Sequence, residues 1–441
     1  MASPPSGPTP FPRRPIDRVL DPWRRFLHIE AASGLLLLAT TAAALILANS
    51  PLAGDYFAFI EQRVVIGVGS AVLDYPLWYW VNDGLMALFF FVVGLEIKRE
   101  IVSGELADKK KAMLPVIAAI GGALLPAAIF TAVIAGGEGG DGWGIPMATD
   151  IAFVVGAMAI LGDRVPRGLK IFVLSAAIVD DLLAVLVIAV FYSHGLAVGW
   201  LLAAAAGFIT IWFASKAGLR SIGVYTLAGV LIWFFTLKSG IHPTIAGVIL
   251  GLMTPTVAWL GKESANLVAR GADALAAPDD QSNPSIALVR ANVAVREAQS
   301  PLTRIETALH PYVAFLIMPI FAFVNAGVTL GGGGAESAVP LAIILGLLIG
   351  KPIGIVLFAY LAVRVAGALL PERVNWPMIA ATGLLAGVGF TMSLFIASLG
   401  LEGDLLTSAK TGILAGSGIA LTLGLIALLL ATRRSRSPAE A

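Results

Sequence analysis

Cysteine is absent from this 441-residue chain, which excludes disulfides, thioether-linked haem and iron–sulfur clusters held by thiolates. Charge is scarce. Asp, Glu, Lys and Arg make up 13% of the residues, against about 25% in soluble domains. With 58% hydrophobic residues and a mean hydropathy of +0.89, a soluble domain on a single anchor is excluded, and a polytopic membrane protein in a lipid bilayer is left. A net charge of +1 says little, and no nucleic-acid partner is expected. The N-terminal tail is rich in Pro, Arg and Ser but has no cleavable signal pattern. The first apolar run, 31–48, is long enough to be a retained helix.

What the chain does have is a series of apolar runs. A bilayer core takes about twenty apolar residues to cross. Such runs lie near 30–48, 78–97, 113–135, 143–161, 170–192, 197–215, 221–237, 241–259, 309–330, 339–363, 376–399 and 408–431. The expected fold class is an all-α polytopic membrane protein with about twelve transmembrane helices. Basic residues fix its orientation. If the loops alternate from a cytoplasmic N-terminus, twenty-five of the 29 Lys and Arg fall inside. Only Arg63, Lys238 and Lys410 fall outside, and Lys351 stays within the membrane. Miscounting by one span would scramble this asymmetry, so both termini are expected in the cytoplasm. The chain divides into an N-terminal tail at 1–28, a membrane domain at 29–432 and a C-terminal tail at 433–441. The domain includes a polar cytoplasmic loop at 261–304. Flexible turns are expected at the glycine-rich stretches 136–140 and 331–334.

Inside these runs sit five ionisable residues: Asp83, Asp150, Asp180, Asp181 and Lys351. A charge at a helix centre costs at least ~3 kcal/mol on insertion scales. Asp180 and Asp181 are adjacent, so each also opposes the other's ionised form. Ion or proton binding is the default account of such a pair. Asp83 also suits a capping or solvated place near the outer interface, and Lys351 a structural cation pairing one carboxylate. Adjacent helical residues point about 100° apart, so one aspartate can meet an ion while the other meets Lys351 or a proton.

Two spans carry the means of their own interruption. Asp150 follows Pro146 in Trp143-Gly144-Ile145-Pro146-Met147-Ala148-Thr149-Asp150, and the eleventh run contains Gly387-Val388-Gly389-Phe390-Thr391. Both weaken helical hydrogen bonding at similar depth. Helices 4 and 11 are therefore expected to be interrupted, with helices 3–5 and 10–12 as an inverted repeat around a binding site. Half-helix ends carry about half a charge each. A carboxylate such as Asp150 can balance two positive ends, and a lysine such as Lys351 two negative ones.

The chain closely resembles the NhaA family of sodium/proton antiporters, itself a known case of this architecture. The resemblance rests on Asn82-Asp83-Gly84-Leu85-Met86-Ala87, Gly94-Leu95-Glu96-Ile97-Lys98-Arg99-Glu100, Ala148-Thr149-Asp150-Ile151-Ala152-Phe153 and Val179-Asp180-Asp181-Leu182. It continues through Lys238-Ser239-Gly240-Ile241-His242, Leu309-His310-Pro311, Phe323-Val324-Asn325-Ala326-Gly327, Gly350-Lys351-Pro352-Ile353-Gly354 and Gly389-Phe390-Thr391-Met392-Ser393. It implies Na+ and H+ binding by Asp180 and Asp181, with Thr149, Asp150 and Lys351 close by. It also implies a pH-sensing cluster at Glu96, Arg99, Glu100 and Glu306. Two departures bear on the pH set-point: the loop before the ninth span is longer than usual, and Thr307 stands where the family often has histidine. His310 lies four residues from Glu306, on the same helical face if the helix begins early enough. It suits a regulatory role or interfacial packing equally well.

The expected activity is electrogenic exchange of Na+, and also Li+, for a larger number of H+, serving sodium and pH homeostasis in a bacterial inner membrane. Asp181 is favoured as the direct ligand, helped by Thr149. The second proton is assigned either to Asp180 or to Lys351. No enzymatic activity and no cofactor are expected. A homodimer is implied, with 51–76 as the candidate contact. The alternative is a proton-coupled carrier of another cation or small organic ion on the same fold. An anion carrier should need an intramembrane arginine, which is lacking, and a channel should need a pore ring or re-entrant loop.

Overall fold

A computed structural model describes residues 30–68, 71–193, 195–217, 222–257, 299–329 and 337–433. The expected tail at 1–28, the C-terminal tail beyond 433, most of the 261–304 loop and the glycine turn at 331–334 lie outside the described residues. Seven helices among them are long and apolar enough to cross a membrane, or up to nine if each of two bent pairs is one crossing.

The chain opens with α1 (Glu30–Ala48), which bends by 114° into the short α2 (Ala53–Glu61). One expectation then needs correction, because the fold is not all-α. Arg63–Val68 (β1) and Ala71–Pro76 (β2) pair antiparallel, with Val65 opposite Asp74 and Gly67 opposite Val72. Val64, Val65, Ile66 and Val68 in the first strand and Val72 and Tyr75 in the second favour extended backbone. A π-helical turn at Trp80–Leu85 leads into α3 (Met86–Ser103).

Asp108 caps α4 (Lys109–Ile134) by accepting the Lys110 N–H at 2.9 Å. After a tight helical stretch at Gly140–Met147, the backbone runs extended before α5 (Ile151–Leu161). α6 (Arg167–Phe191) is unbroken and carries the aspartate pair at its middle. α7 (Val198–Lys216), α8 (Ile222–Ser239) and α9 (Thr244–Met253) follow.

Ser300 and Pro301 start α10 (Pro301–Tyr312), the Ser300 hydroxyl accepting the Thr303 N–H. That start is eight residues before the apolar run, so Glu306 and His310 are helical, one turn apart. A π-turn at Val313–Ile317 joins α10 to α11 (Met318–Asn325). Another at Gly346–Gly350 separates α12 (Val339–Leu345) from α13 (Lys351–Arg364). Asn375 caps α14 (Trp376–Ala386). The chain bends by 46° into α15 (Phe390–Gly400) and ends in α16 (Gly403–Arg433).

Small residues set the closest helix contacts, as expected where lipid supplies no hydrophobic drive between helices. α3 and α9 touch backbone to backbone. A Cβ on Gly94 would lie 2.6 Å from the Val248 carbonyl oxygen, and one on Gly251 would lie 2.9 Å from the Gly94 Cα. The main apolar core gathers α1, α3, α11, α12, α15 and α16, and a second joins α4, α5, α6, α13, α14 and α16. A buried amide pair ties the π-turn of Trp80–Leu85 to α11: Asn325 donates to Asn82 at 2.7 Å and Asn82 donates back at 3.2 Å. Lys98 of α3 donates to the Leu252 carbonyl near the C-terminal end of α9 at 2.5 Å, a cation at a negative helix end.

Candidate functional site

The two interrupted segments meet at their breaks. The Asp150 N–H donates to the Val388 carbonyl at 2.7 Å, so the extended stretch Ala148–Asp150 lies against Gly387–Gly389. Pro146 in one and the glycines in the other keep the backbone from closing into continuous helix. Four helix ends therefore converge in the apolar interior, where each needs a partner.

Asp150 serves both positive ends. One carboxylate oxygen accepts the Ala152 N–H at 3.1 Å, at the start of α5. The other accepts the Thr391 N–H at 3.2 Å, at the start of α15, together with the Thr391 hydroxyl. Asp150 is 1% exposed, and this double capping is what offsets its burial.

The negative ends find different donors. The Lys351 ammonium donates to the Met147 carbonyl, where the tight helical stretch ends. The Thr149 hydroxyl donates to the Ala386 carbonyl at 2.9 Å, where α14 ends. The expectation that Lys351 would face two such ends is met at one of them, and a threonine takes the other.

Lys351 also reaches α6. Its ammonium lies 2.8 Å from Asp180 Oδ2, with the lysine 1% and the aspartate 4% exposed. The other oxygen, Asp180 Oδ1, is buried with no hydrogen-bond partner. Asp181, 3% exposed, points away from this pair. It shares the α6 face of Leu174 and Ile178, which pack on Val93 and Ile97 of α3. No hydrogen bond or ion pair among the described residues holds its carboxylate. The charges acting on it are Asp180, Glu96, Asp150 and Lys351. Among the described residues these three carboxylates thus share one buried cation, Lys351, so their full ionisation would leave buried negative charge uncompensated.

The residues expected to sense pH also come together. Arg99 of α3 forms an ion pair with Glu306 of α10. Glu96 lies within reach of both charges, and His310 is close to Arg99. Glu100, whose carboxylate accepts the Glu105 N–H at 2.9 Å, also acts electrostatically on Glu96 and Glu306. Asp83 is buried, with the His242 Nε2 3.3 Å from its carboxylate, and is neither a solvated surface residue nor part of the aspartate pair.

Sequence reasoning missed several supporting groups. The Ser417 hydroxyl accepts the Phe390 N–H at 3.1 Å, and the Ser393 hydroxyl donates to the Ile145 carbonyl at 2.7 Å. Ser417 stands between Gly416 and Gly418 in an apolar helix, which was the available signal. The Lys351–Asp180 pair yields a prediction by double-mutant cycle. Lys351→Met leaves a buried aspartate without its cation and should cost about 3–5 kcal/mol of unfolding stability in detergent. Lys351→Met combined with Asp180→Asn should recover much of that loss; additive losses on denaturant unfolding would contradict the pairing.

Comparison with known proteins agrees with this geometry. The family profile described as Na+/H+ antiporter 1 matches residues 24–428. The chain is 47% identical over 411 residues to the Na(+)/H(+) antiporter NhaA of Rhodopirellula baltica, covering 91% of this chain and 92% of that protein. It is 45% identical over 429 residues to the Na(+)/H(+) antiporter NhaA of Rhizobium meliloti, covering 97% and 98%. With the Na(+)/H(+) antiporter NhaA 2 of Sorangium cellulosum it shares 46% over 411 residues, covering 91% and 88%. A match of this extent, on a chain whose breaks and buried charges converge as described, means that the protein belongs to the Na+/H+ antiporter 1 family, whose members are transporters and not enzymes.

Proposed function

We propose that the protein exchanges Na+ for H+ across a bacterial inner membrane, with Li+ as a second substrate and with more than one proton moved per cation. The observation that carries this reading is the split between the adjacent aspartates. Asp180 is held by Lys351, while Asp181 is buried beside it with no cation paired to it among the described residues. Na+ is a hard cation that prefers oxygen ligands, and Asp181 supplies them from a continuous helix. Thr149, beside Asp180 with a hydroxyl and flanking carbonyls in extended backbone, is the residue we assign to complete the shell.

Antiport follows from competition. Na+ and protons cannot hold the same carboxylates together, so each displaces the other. If Na+ replaces two protons, the second comes from Asp180 or from Lys351 as their pair re-forms or opens. Twelve crossings, with helices 3–5 and 10–12 as inverted halves and both termini in the cytoplasm, would let one bundle rock against the other around the crossed breaks. Glu96, Arg99, Glu100 and Glu306 would set the pH at which this begins. A homodimer through 51–76 is supported by the outward-facing Val65, Ile66 and Val72 of the hairpin.

Two outcomes test this reading. In proteoliposomes, Na+ should drive proton movement that responds to an imposed membrane potential, and Asp181→Asn should abolish it. Normal exchange by that variant would remove Asp181 from the site, and indifference to potential would reject unequal stoichiometry. The regulatory cluster is tested separately. Glu306→Gln releases Arg99 and should shift the activity-versus-pH curve, whereas His310→Ala should leave it in place; the reverse pattern would move the sensor to the histidine.

A further inference from the structure

The two helices that carry the buried ion pair end together. α6 runs thirteen residues from Arg167 to Asp180, and α13 runs thirteen from Lys351 to Arg364. At about 1.5 Å per residue each is about 20 Å of helix, whereas half of a hydrocarbon core is about 15 Å. With the pair at mid-depth, both ends reach the headgroup level of one leaflet. Tyr360, one turn before Arg364, comes to the hydrocarbon edge. The segment between α13 and α14 is seated on that end of α6. A Cβ on Gly168 would lie 2.9 Å from the Pro371 Cβ and 3.1 Å from the Glu372 carbonyl oxygen.

This segment presents both apolar surface and unused donors. Gly367, at φ +74°, turns the chain so that the Ala368 N–H donates to the Ala362 carbonyl at 3.0 Å. Ala362 and Ala368 are buried, but Val365 and Leu369 are 80% and 84% exposed, the highest values for large apolar side chains among the described residues. The Arg364 guanidinium lies 5.6 Å above the Tyr360 ring, and that ring lies 5.6 Å from Trp376 at the start of α14. Arg373, three residues before Trp376, is exposed as well. No hydrogen bond or ion pair among the described residues engages the side chains of Arg364, Arg373, Tyr360 or Trp376. Guanidinium and indole N–H groups only donate. The one acid in the segment, Glu372, is exposed and pairs with neither arginine.

Donors without an acceptor fit an anion, and exposed apolar side chains beside them fit an acyl chain. A phospholipid offers both at this depth, since arginines bind phosphate through a planar fork and aromatic rings sit at the headgroup boundary. A soluble phosphate would leave Val365 and Leu369 in water. We propose that the α13–α14 segment binds an anionic phospholipid, its phosphate held by Arg364 and Arg373 beside Trp376 and its chain lying over Val365 and Leu369. Because the segment rests on α6 and extends α13, the lipid clamps the two helices that the Lys351–Asp180 pair joins. Only the assignment to the cytoplasmic leaflet rests on the orientation proposed above; the lipid site stands without the Na+/H+ reading.

Native mass spectrometry of the full chain in detergent, with phosphatidylglycerol or phosphatidylcholine added, measures the preference. The wild-type protein should retain phosphatidylglycerol several-fold over phosphatidylcholine, and phosphatidylglycerol should raise its unfolding temperature more. Arg364→Gln combined with Arg373→Gln should remove most of the preference and the difference in unfolding temperature. Both arginines are exposed and unpaired, so without lipid this variant should unfold at the wild-type temperature, which separates lost lipid from lost fold. Arg63→Gln, which removes a cation from the hairpin instead, should change neither readout. Val365→Ser combined with Leu369→Ser should weaken retention of both lipids. An undiminished preference in the double arginine variant, or an equal loss on Arg63→Gln, would overturn the site. Equal stabilisation by inorganic phosphate would give the donors to a soluble anion and would overturn it too.

Discussion

Charge buried in an apolar interior must find a partner, and much of this molecule is arranged to supply one. Breaking two helices at mid-depth exposes four partially charged ends. Placing three carboxylates and one lysine among them adds full charges. Each feature would be costly alone. Together they neutralise one another: Asp150 at the two positive ends, Lys351 and Thr149 at the two negative ends, Lys351 again on Asp180. The arrangement is balanced except at Asp181, which is where the proposed Na+ would bind.

The same logic explains why α6 is continuous while its neighbours are not. A rigid helix holds Asp180 and Asp181 about 100° apart, so their environments cannot merge. Asp180 faces α13 and Asp181 faces α3. Any motion of α3 and its partner α9 relative to the broken segments therefore changes the surroundings of Asp181 and leaves the Asp180–Lys351 pair inside its own group of helices. The Arg99–Glu306 pair, one turn beyond Glu96 on the same α3, sits where such a motion could be restrained.

Much of this was legible in the sequence, for physical reasons. Apolar runs report helices because lipid demands internally bonded backbone. Pro146 and the Gly387–Gly389 stretch announced the breaks, since neither suits a continuous helix. Asp180 and Asp181 stood out because charge is so scarce. The paired strands Arg63–Val68 and Ala71–Pro76 were not legible in the apolar runs, because a six-residue strand is too short to register as one. Pairing choices were not legible. Whether Lys351 would take Asp180 or Asp181 depends on the rotation of α6 in its bundle. The Asp83–His242 and Asn82–Asn325 pairs join residues far apart in sequence. Glu100 was legible as a member of the charged cluster through the resemblance, but not that its carboxylate would also accept a backbone N–H five residues on.

The central claim is that Na+ and protons compete for Asp181. It is tested most directly by adding Na+ to the purified protein in weakly buffered detergent solution and measuring released protons. The account predicts prompt proton release on adding Na+ or Li+ to the wild-type protein and none from Asp181→Asn. Undiminished release from that variant, or no release from the wild type, would contradict it.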